Sequence, residues 1–183
     1  MHARSCYICL ALLVSPYLGA CSGLQLDSSP SLSIPLSGTW LVDTASSDDV
    51  NSAMRPDGLR GDDRLTTRAE IERIRRGSGL AFVASDFQVL EARRMIIELA
   101  GDSMGVKHEP GVYRDVSWGE RERGIWEVQA GWEENVLVVA SNTNGISVVE
   151  RYQLLAPKQL RVTMHIRADG NKRQVQRYFR RQR

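Results

Sequence analysis

Two charged residues occupy positions where their segments otherwise alternate apolar side chains inward. Glu150 shares a face with Val148 and Tyr152, and Arg177 has an apolar neighbour two positions away on either side. A charge on a buried face needs an opposite charge or a polar partner, because burial removes its hydration. We therefore expect Glu150 and Arg177 either to pair with each other or to bind polar atoms of a ligand inside the fold.

Three tryptophans lie close together in the sequence, at Trp118, Trp126 and Trp132. Trp126 and Trp132 fall on the same face of the alternating segment 124–132. Large aromatic side chains can line a ligand cavity or fill a core. Both interpretations stay open from the sequence: a cavity lining or an ordinary core.

The sequence contains little that resembles a catalytic or metal-binding motif. His108 stands beside Glu109, His165 lies on the polar face of its segment, and neither forms part of an H-E-x-x-H or paired-cysteine pattern. No metal, cofactor or catalytic residue is therefore predicted. The stretch 119–124, in which two carboxylates alternate with two arginines, is interpreted as a charged turn. A hydrolase assembled from distant carboxylates is kept as a third functional hypothesis.

The composition is that of one globular domain with short appendages. The chain has 183 residues, 42% of them hydrophobic and 25% charged. Its 24 basic and 22 acidic residues give a net charge of +2. This near balance does not indicate a nucleic-acid partner.

The N-terminus has the features of an export signal, predicted over residues 1–20. Arg4 precedes a short apolar stretch, and Leu18-Gly19-Ala20-Cys21 resembles a bacterial lipobox. The resemblance implies cleavage before Cys21 and its acylation with chains of the palmitate type, which would make the membrane a partner. The alternative is plain secretion with Cys21 left free. Ser22 follows the cysteine, and by the same resemblance favours the outer over the inner membrane; the side that the domain faces stays open.

Behind Cys21, residues 22–35 are rich in Ser and Pro and are predicted to form a flexible tether, so that 36–183 form one β-rich domain. Thr67 and Glu70 have capping-box spacing and Gly77 suits a helix end, which predicts one short helix. Residues 80–92 are ambiguous between a helix and an irregular segment. Period-two alternation predicts strands at 36–42, 94–100, 103–108, 112–118, 124–131, 135–141, 146–155, 159–168 and 172–180. The run 136–140 is apolar on both faces and is expected to be covered on both sides.

Eight or nine short strands with tight turns predict a mainly β, antiparallel meander. Closure or partial closure into a barrel would remove its exposed edges. The competing architecture is a curved open sheet packed on the helix at 68–76.

Gly38-Thr39-Trp40 at the first strand, with Arg177 or Arg180 in the last, resembles the structural kernel of lipocalins and other calycins. The resemblance implies that Trp40 closes one end of a barrel and that an arginine packs across its ring. The alternative is an ordinary core tryptophan. The layout is also similar to that of uncharacterised bacterial envelope lipoproteins, which bring no activity with them.

The leading hypothesis is a noncatalytic, lipid-anchored envelope protein that binds a small apolar or amphipathic molecule in its barrel. Glu150, Arg177, Trp118, Trp126 and Trp132 are the candidate ligand contacts. The alternative is a structural lipoprotein that docks to another envelope component. The basic C-terminal residues, from Lys172 to Arg183, are candidates for contact with anionic lipid headgroups.

Overall fold

The computed structural model describes residues 24–55 and 79–182. The predicted helix with Thr67, Glu70 and Gly77, and the signal with Cys21, lie outside the described residues. In the described part of the segment between the first two strands lie two short α-helices, α1 (Val50–Ala53) and α2 (Gly79–Asp86), and a 3-10 turn (Gln88–Leu90). None of the helices in these ranges is long and apolar enough to cross a membrane.

Ten antiparallel strands form one sheet, which confirms the predicted mainly β meander and adds one strand to it. They are β1 (Gly38–Val42), β2 (Arg94–Leu99), β3 (Ser103–Glu109), β4 (Tyr113–Ser117), β5 (Gly119–Arg123), β6 (Trp126–Glu133), β7 (Val136–Thr143), β8 (Ile146–Ala156), β9 (Gln159–Ala168) and β10 (Asn171–Arg181).

The strand order β4-β3-β2-β1-β10-β9-β8-β7-β6-β5 brings the first strand beside the last. The sheet thereby curls into a nearly closed barrel. Its two edges, β4 and β5, follow each other in the chain, and no ladder joins them within the described ranges. Among the described strands, the opening in the wall of the barrel therefore lies between β4 and β5, at a place fixed by the strand order.

The interpretation of residues 119–124 as a charged turn is wrong, because Gly119–Arg123 form strand β5. Gly119–Arg123 pairs with β6, Glu120 opposite Gln129 and Arg121 opposite Val128. The segment carries no apolar residue, so the alternation that reveals a half-buried strand is absent. As an edge strand it needs none, and its charges disfavour pairing with another chain.

The inward faces of the strands build one continuous apolar core. Its largest fully buried side chains include Trp40, Tyr152, Phe179, Met95, Met104 and Met164. The ambiguous segment 80–92 is helical, and Leu80, Val83 and Leu90 from it join this core.

The N-terminal strap, residues 24–36, runs along the edge of the sheet beside β6 and ends at Leu36, which is fully buried in the core. Asp27 exchanges two backbone hydrogen bonds with Trp132, both 2.8 Å, and Gln129 Nε2 donates to the Leu24 carbonyl at 2.6 Å. From Leu24 onward the predicted tether is therefore held by the sheet, because β6 extends past β5 and leaves a free backbone edge.

Val138 and Val139, on opposite faces of β7, are both fully buried, as the double-sided apolar run predicted.

Candidate functional site

The opening between β4 and β5 leads to two adjoining cavities. The larger has a volume of about 230 Å³ and is lined by His108, Arg114, Asp115, Arg123, Asp86 and Gln88, together with Val112 and Tyr113. The smaller, of about 100 Å³, shares Arg114, Asp115 and Arg123 with it. We call the larger one the strand-gap cavity.

A buried ion pair forms the floor of the opening. Nη1 of Arg114 lies 2.6 Å from Oε2 of Glu150, and the two side chains are only 11% and 1% exposed. Tyr152 donates its hydroxyl proton to Oε1 of Glu150 at 3.0 Å. Burial raises the pKa of Tyr152 well above its usual value, so the phenol stays protonated as a donor.

His108 lies beside this pair without taking part in it. Among the residues that the structure describes, neither of its ring nitrogens has a hydrogen-bond partner, and the residue is 2% exposed. Burial lowers the pKa of His108 to about 4, with Glu150 opposing and Arg114 adding to this shift. The ring is therefore neutral at pH 7 and offers one donor and one acceptor.

The outer wall combines charge with aromatic packing. Trp126 donates its indole N–H to Oδ2 of Asp86 at 2.6 Å, and Nη2 of Arg123 lies 3.8 Å from the same oxygen. The Trp126 ring stacks on Phe82 at 5.7 Å and meets Phe87 edge-on at 5.1 Å. Burial, with repulsion from Arg114, lowers the pKa of Arg123.

The rim of the opening carries exposed apolar side chains. Val112 is 64% exposed, Tyr113 56% and Ile125 63%. Phe82, which stacks on Trp126, is 38% exposed. Apolar side chains around a polar cavity are typical of a surface that meets an apolar molecule or partner.

The structure separates the sequence-predicted ligand contacts. Glu150 lies at the opening, but its partner is Arg114, so the expected pair with Arg177 is wrong. Nη2 of Arg177 instead donates to the Ala92 carbonyl at 3.3 Å. The strand order explains both contacts. Glu150 on β8 reaches across the barrel interior to Arg114 on β4, whereas Arg177 on β10 faces the segment before β2.

The three tryptophans do not line one cavity. Trp126 lies at the opening, whereas Trp118 and Trp132 pack edge-on at 6.2 Å near the opposite end of β6. Trp118 donates its indole N–H to the Gly101 carbonyl at 3.1 Å. An eight-residue strand separates the two groups, because Trp126 and Trp132 stand near its two ends.

An arginine packs across the Trp40 ring as expected, but it is neither Arg177 nor Arg180. The guanidinium of Arg181 lies 4.2 Å from the centre of the Trp40 ring. Arg180, one of the two expected candidates, faces outward and contacts Asp43 at 2.7 Å. Gly38 has φ of +138°, and a Cβ there would lie 2.5 Å from Nη1 of Arg181. Trp40 is fully buried and belongs to the barrel's structure.

Three of the basic C-terminal residues on β10 point in different directions. Arg177 points inward, Arg181 covers Trp40, and Arg180 pairs with Asp43. These three residues thus have separate environments, while Lys172 is exposed; contact of the basic residues with anionic lipid headgroups stays a prediction. Arg183 lies outside the described residues.

Sequence reasoning missed Arg114 and His108 as site residues. The signal was available: Arg114 alternates with Val112 and Val116, and His108 with Val106, as Glu150 does with its apolar neighbours. No group of three or more His, Cys, Asp or Glu side chains in the described ranges is arranged to hold a metal ion.

Comparison with known proteins supplies the fold and nothing finer. No family model matches the chain, and no curated protein matches it by sequence. Among solved structures it is similar to the wild-type fluorescent protein UnaG, with a TM-score of 0.50 and 17% identity over 80% of this chain and 97% of that one. A single-site variant of UnaG has the same TM-score at 15% identity, over 81% and 96%. The chain has a calycin-like barrel fold. At such identity the likeness concerns the fold alone, and the opening between β4 and β5 must be interpreted from this chain's own residues.

Proposed function

We propose that this protein is a noncatalytic, lipid-anchored envelope protein that binds a small apolar or amphipathic molecule through the opening between β4 and β5. The observation that carries the proposal is a cavity that leads from an apolar rim to buried nitrogen atoms of His108 and Arg114 that have no hydrogen-bond partner among the described residues. Calycin-like barrels of about this size can hold one small ligand.

The noncatalytic part of the proposal rests on His108. In a nucleophile–base arrangement a third group orients the base, and none of the described residues makes a hydrogen bond to this imidazole. The one carboxylate buried beside it, Glu150, is already occupied by Arg114 and Tyr152.

The lipid anchor at Cys21 is proposed from the sequence, and the attachment of the strap to the barrel determines how close the anchor would hold the barrel to the membrane. Only Ser22 and Gly23 separate Cys21 from Leu24, whose carbonyl is bonded to the barrel. Three extended residues span roughly 10 Å, so an acylated Cys21 would hold the barrel directly at the membrane surface. We propose the outer membrane as that surface.

Native mass spectrometry of the full chain tests the binding. We expect an additional mass that disappears on denaturation, either as purified or after incubation with a lipid extract of the producing bacterium. Arg114→Met combined with Glu150→Leu should abolish this mass, whereas Arg94→Met, at an exposed pair, should retain it. A chain that stays free of ligand under both conditions would contradict the carrier function.

The mass of the mature N-terminus tests the anchor independently. We expect a chain that begins at Cys21 and carries acyl groups, and a Cys21→Ser variant without them. A mature wild-type chain with an unmodified cysteine would show plain secretion.

Docking to another envelope component is the second candidate, favoured by the exposure of Val112, Tyr113 and Ile125. A photoreactive amino acid at position 112 should then crosslink to one partner in cells. The same group at Leu155, an exposed apolar residue of β8, is the matched control. Equal labelling at both positions would contradict a specific docking surface.

A further inference from the structure

Three buried polar atoms beside the strand-gap cavity have no partner in the part of the chain that the structure describes. They are Nδ1 and Nε2 of His108 and Nε of Arg114. The two residues are diagonal neighbours on adjacent strands, since Arg114 pairs with Val106 two positions before His108. Buried polar groups are usually satisfied, so this cluster indicates that something else supplies the missing hydrogen bonds.

The types of these atoms restrict the group that can satisfy them. A neutral imidazole presents one acceptor nitrogen, and Nε–H of Arg114 is a donor. A matching group therefore has a donor and an acceptor side by side. An ammonium offers only donors and cannot accept from Nε–H of Arg114. A carboxylate could accept both from Nε–H and from the imidazole N–H, so the charge of the cavity walls decides against an anion.

The charges of the walls disfavour an anion. The two guanidinium groups of Arg114 and Arg123 stand against the carboxylates of Asp86 and Asp115, and Glu150 lies beneath them as a third. Two positive and three negative charges sum to −1, so an added anion would meet a surplus of negative charge. Burying an uncompensated ion at such a place is costly.

The cavity volume gives the size of the group that fits inside it. About 230 Å³ accommodates a polar group attached to one small ring. Val112 and Tyr113 at the mouth supply an apolar contact for the ring.

We propose that the strand-gap cavity binds an uncharged carboxamide, whose N–H donates to a ring nitrogen of His108 and whose carbonyl accepts from Nε of Arg114. The inference rests on the proposed binding function and deepens it by naming the polar group of the ligand. The remaining ring nitrogen of His108 is left for water or for a second polar group of the ligand.

Four probes of nearly one shape test the proposal: benzamide, benzoate, benzamidinium and acetophenone. They present, in turn, donor and acceptor, an anion, a cation, and an acceptor alone. Dissociation constants are measured by NMR titration of the full chain, with the His108 ring resonances as the local readout. We expect benzamide to bind roughly tenfold or more tightly than the other three, and to shift the His108 resonances.

Variants of the two histidines localise the effect. His108→Phe should reduce benzamide binding to the level of acetophenone, while His108→Gln, which keeps a donor and an acceptor, should retain most of it. His165→Phe is the matched control, because His165 lies exposed on β9. An equal loss in the His165 variant would overturn the assignment.

Tighter binding of benzoate, equal binding of all four probes, or no binding of any would each overturn the carboxamide proposal. If native mass spectrometry nevertheless shows a captured molecule, the binding function stands and only its proposed chemistry is wrong. If no molecule is captured either, both proposals fail.

Discussion

Replacing Glu150 with Gln changes one charge in a buried pair and leaves the shape of the side chain intact. The protein contains its own control, because Arg94 and Glu109 also meet at 2.6 Å. These two side chains are 40% and 34% exposed, against 11% and 1% for Arg114 and Glu150. The two substitutions Glu150→Gln and Glu109→Gln thus differ in burial and not in contact distance.

The expected loss of unfolding free energy differs between the two variants, because water can take the place of the exposed carboxylate of Glu109 but not that of the buried carboxylate of Glu150. Glu150→Gln leaves the buried guanidinium of Arg114 without a counter-charge, which costs about 3 kcal/mol of unfolding free energy, at the lower end for broken buried pairs. This corresponds to a fall in Tm of roughly 6–12 °C for a chain of this size. Glu109→Gln should cost less than about 1 kcal/mol, as exposed pairs do.

Urea unfolding followed by tryptophan fluorescence measures both variants. Arg114→Met with Glu150→Leu should be no less stable than the wild type, because replacing a whole buried pair by apolar side chains avoids its desolvation. Two single variants of equal stability would refute the argument from burial. So would a double variant as unstable as the sum of its single substitutions.

Three further predictions concern other parts of the barrel. Because the pKa of His108 is depressed to about 4, the unfolded chain binds a proton at pH values where the buried ring does not. Lowering the pH from 6.5 to 4 should therefore cost up to about 3 kcal/mol of unfolding free energy. His108→Leu should lack this loss when urea unfolding is measured at each pH. Gly38→Ala should lower the Tm, because φ is +138° and the new Cβ would meet a guanidinium nitrogen, whereas Gly101→Ala, with open space around it, should not; equal Tm values would contradict the strain. Gly131→Ala would place a Cβ 2.7 Å from the Asp27 carbonyl oxygen and should release the strap, seen as faster hydrogen exchange of the Asp27 amide; unchanged exchange would show that the strap is held elsewhere.

The local sequence pattern predicted most of the strands. Period-two alternation and punctuation by Gly, Asn, Asp and Pro are properties of short segments, so β2, β3 and β6 to β10 lie close to where the pattern put them. The same alternation identified Glu150 as a buried charge, and the structure confirms its burial at 0% exposure. It failed at β5, where a charged edge strand carries no apolar face to read.

Only the tertiary structure decided which residues meet. Glu150 pairs with Arg114, 36 residues away, because curling of the sheet brings β8 opposite β4 across the interior. Register likewise selected Arg181 for Trp40 by placing the two opposite each other on β1 and β10. The alternation of apolar and polar residues indicates on which face of the sheet a side chain lies. The partner of that side chain depends on strand order, register and closure, which are set by the packing of the whole barrel.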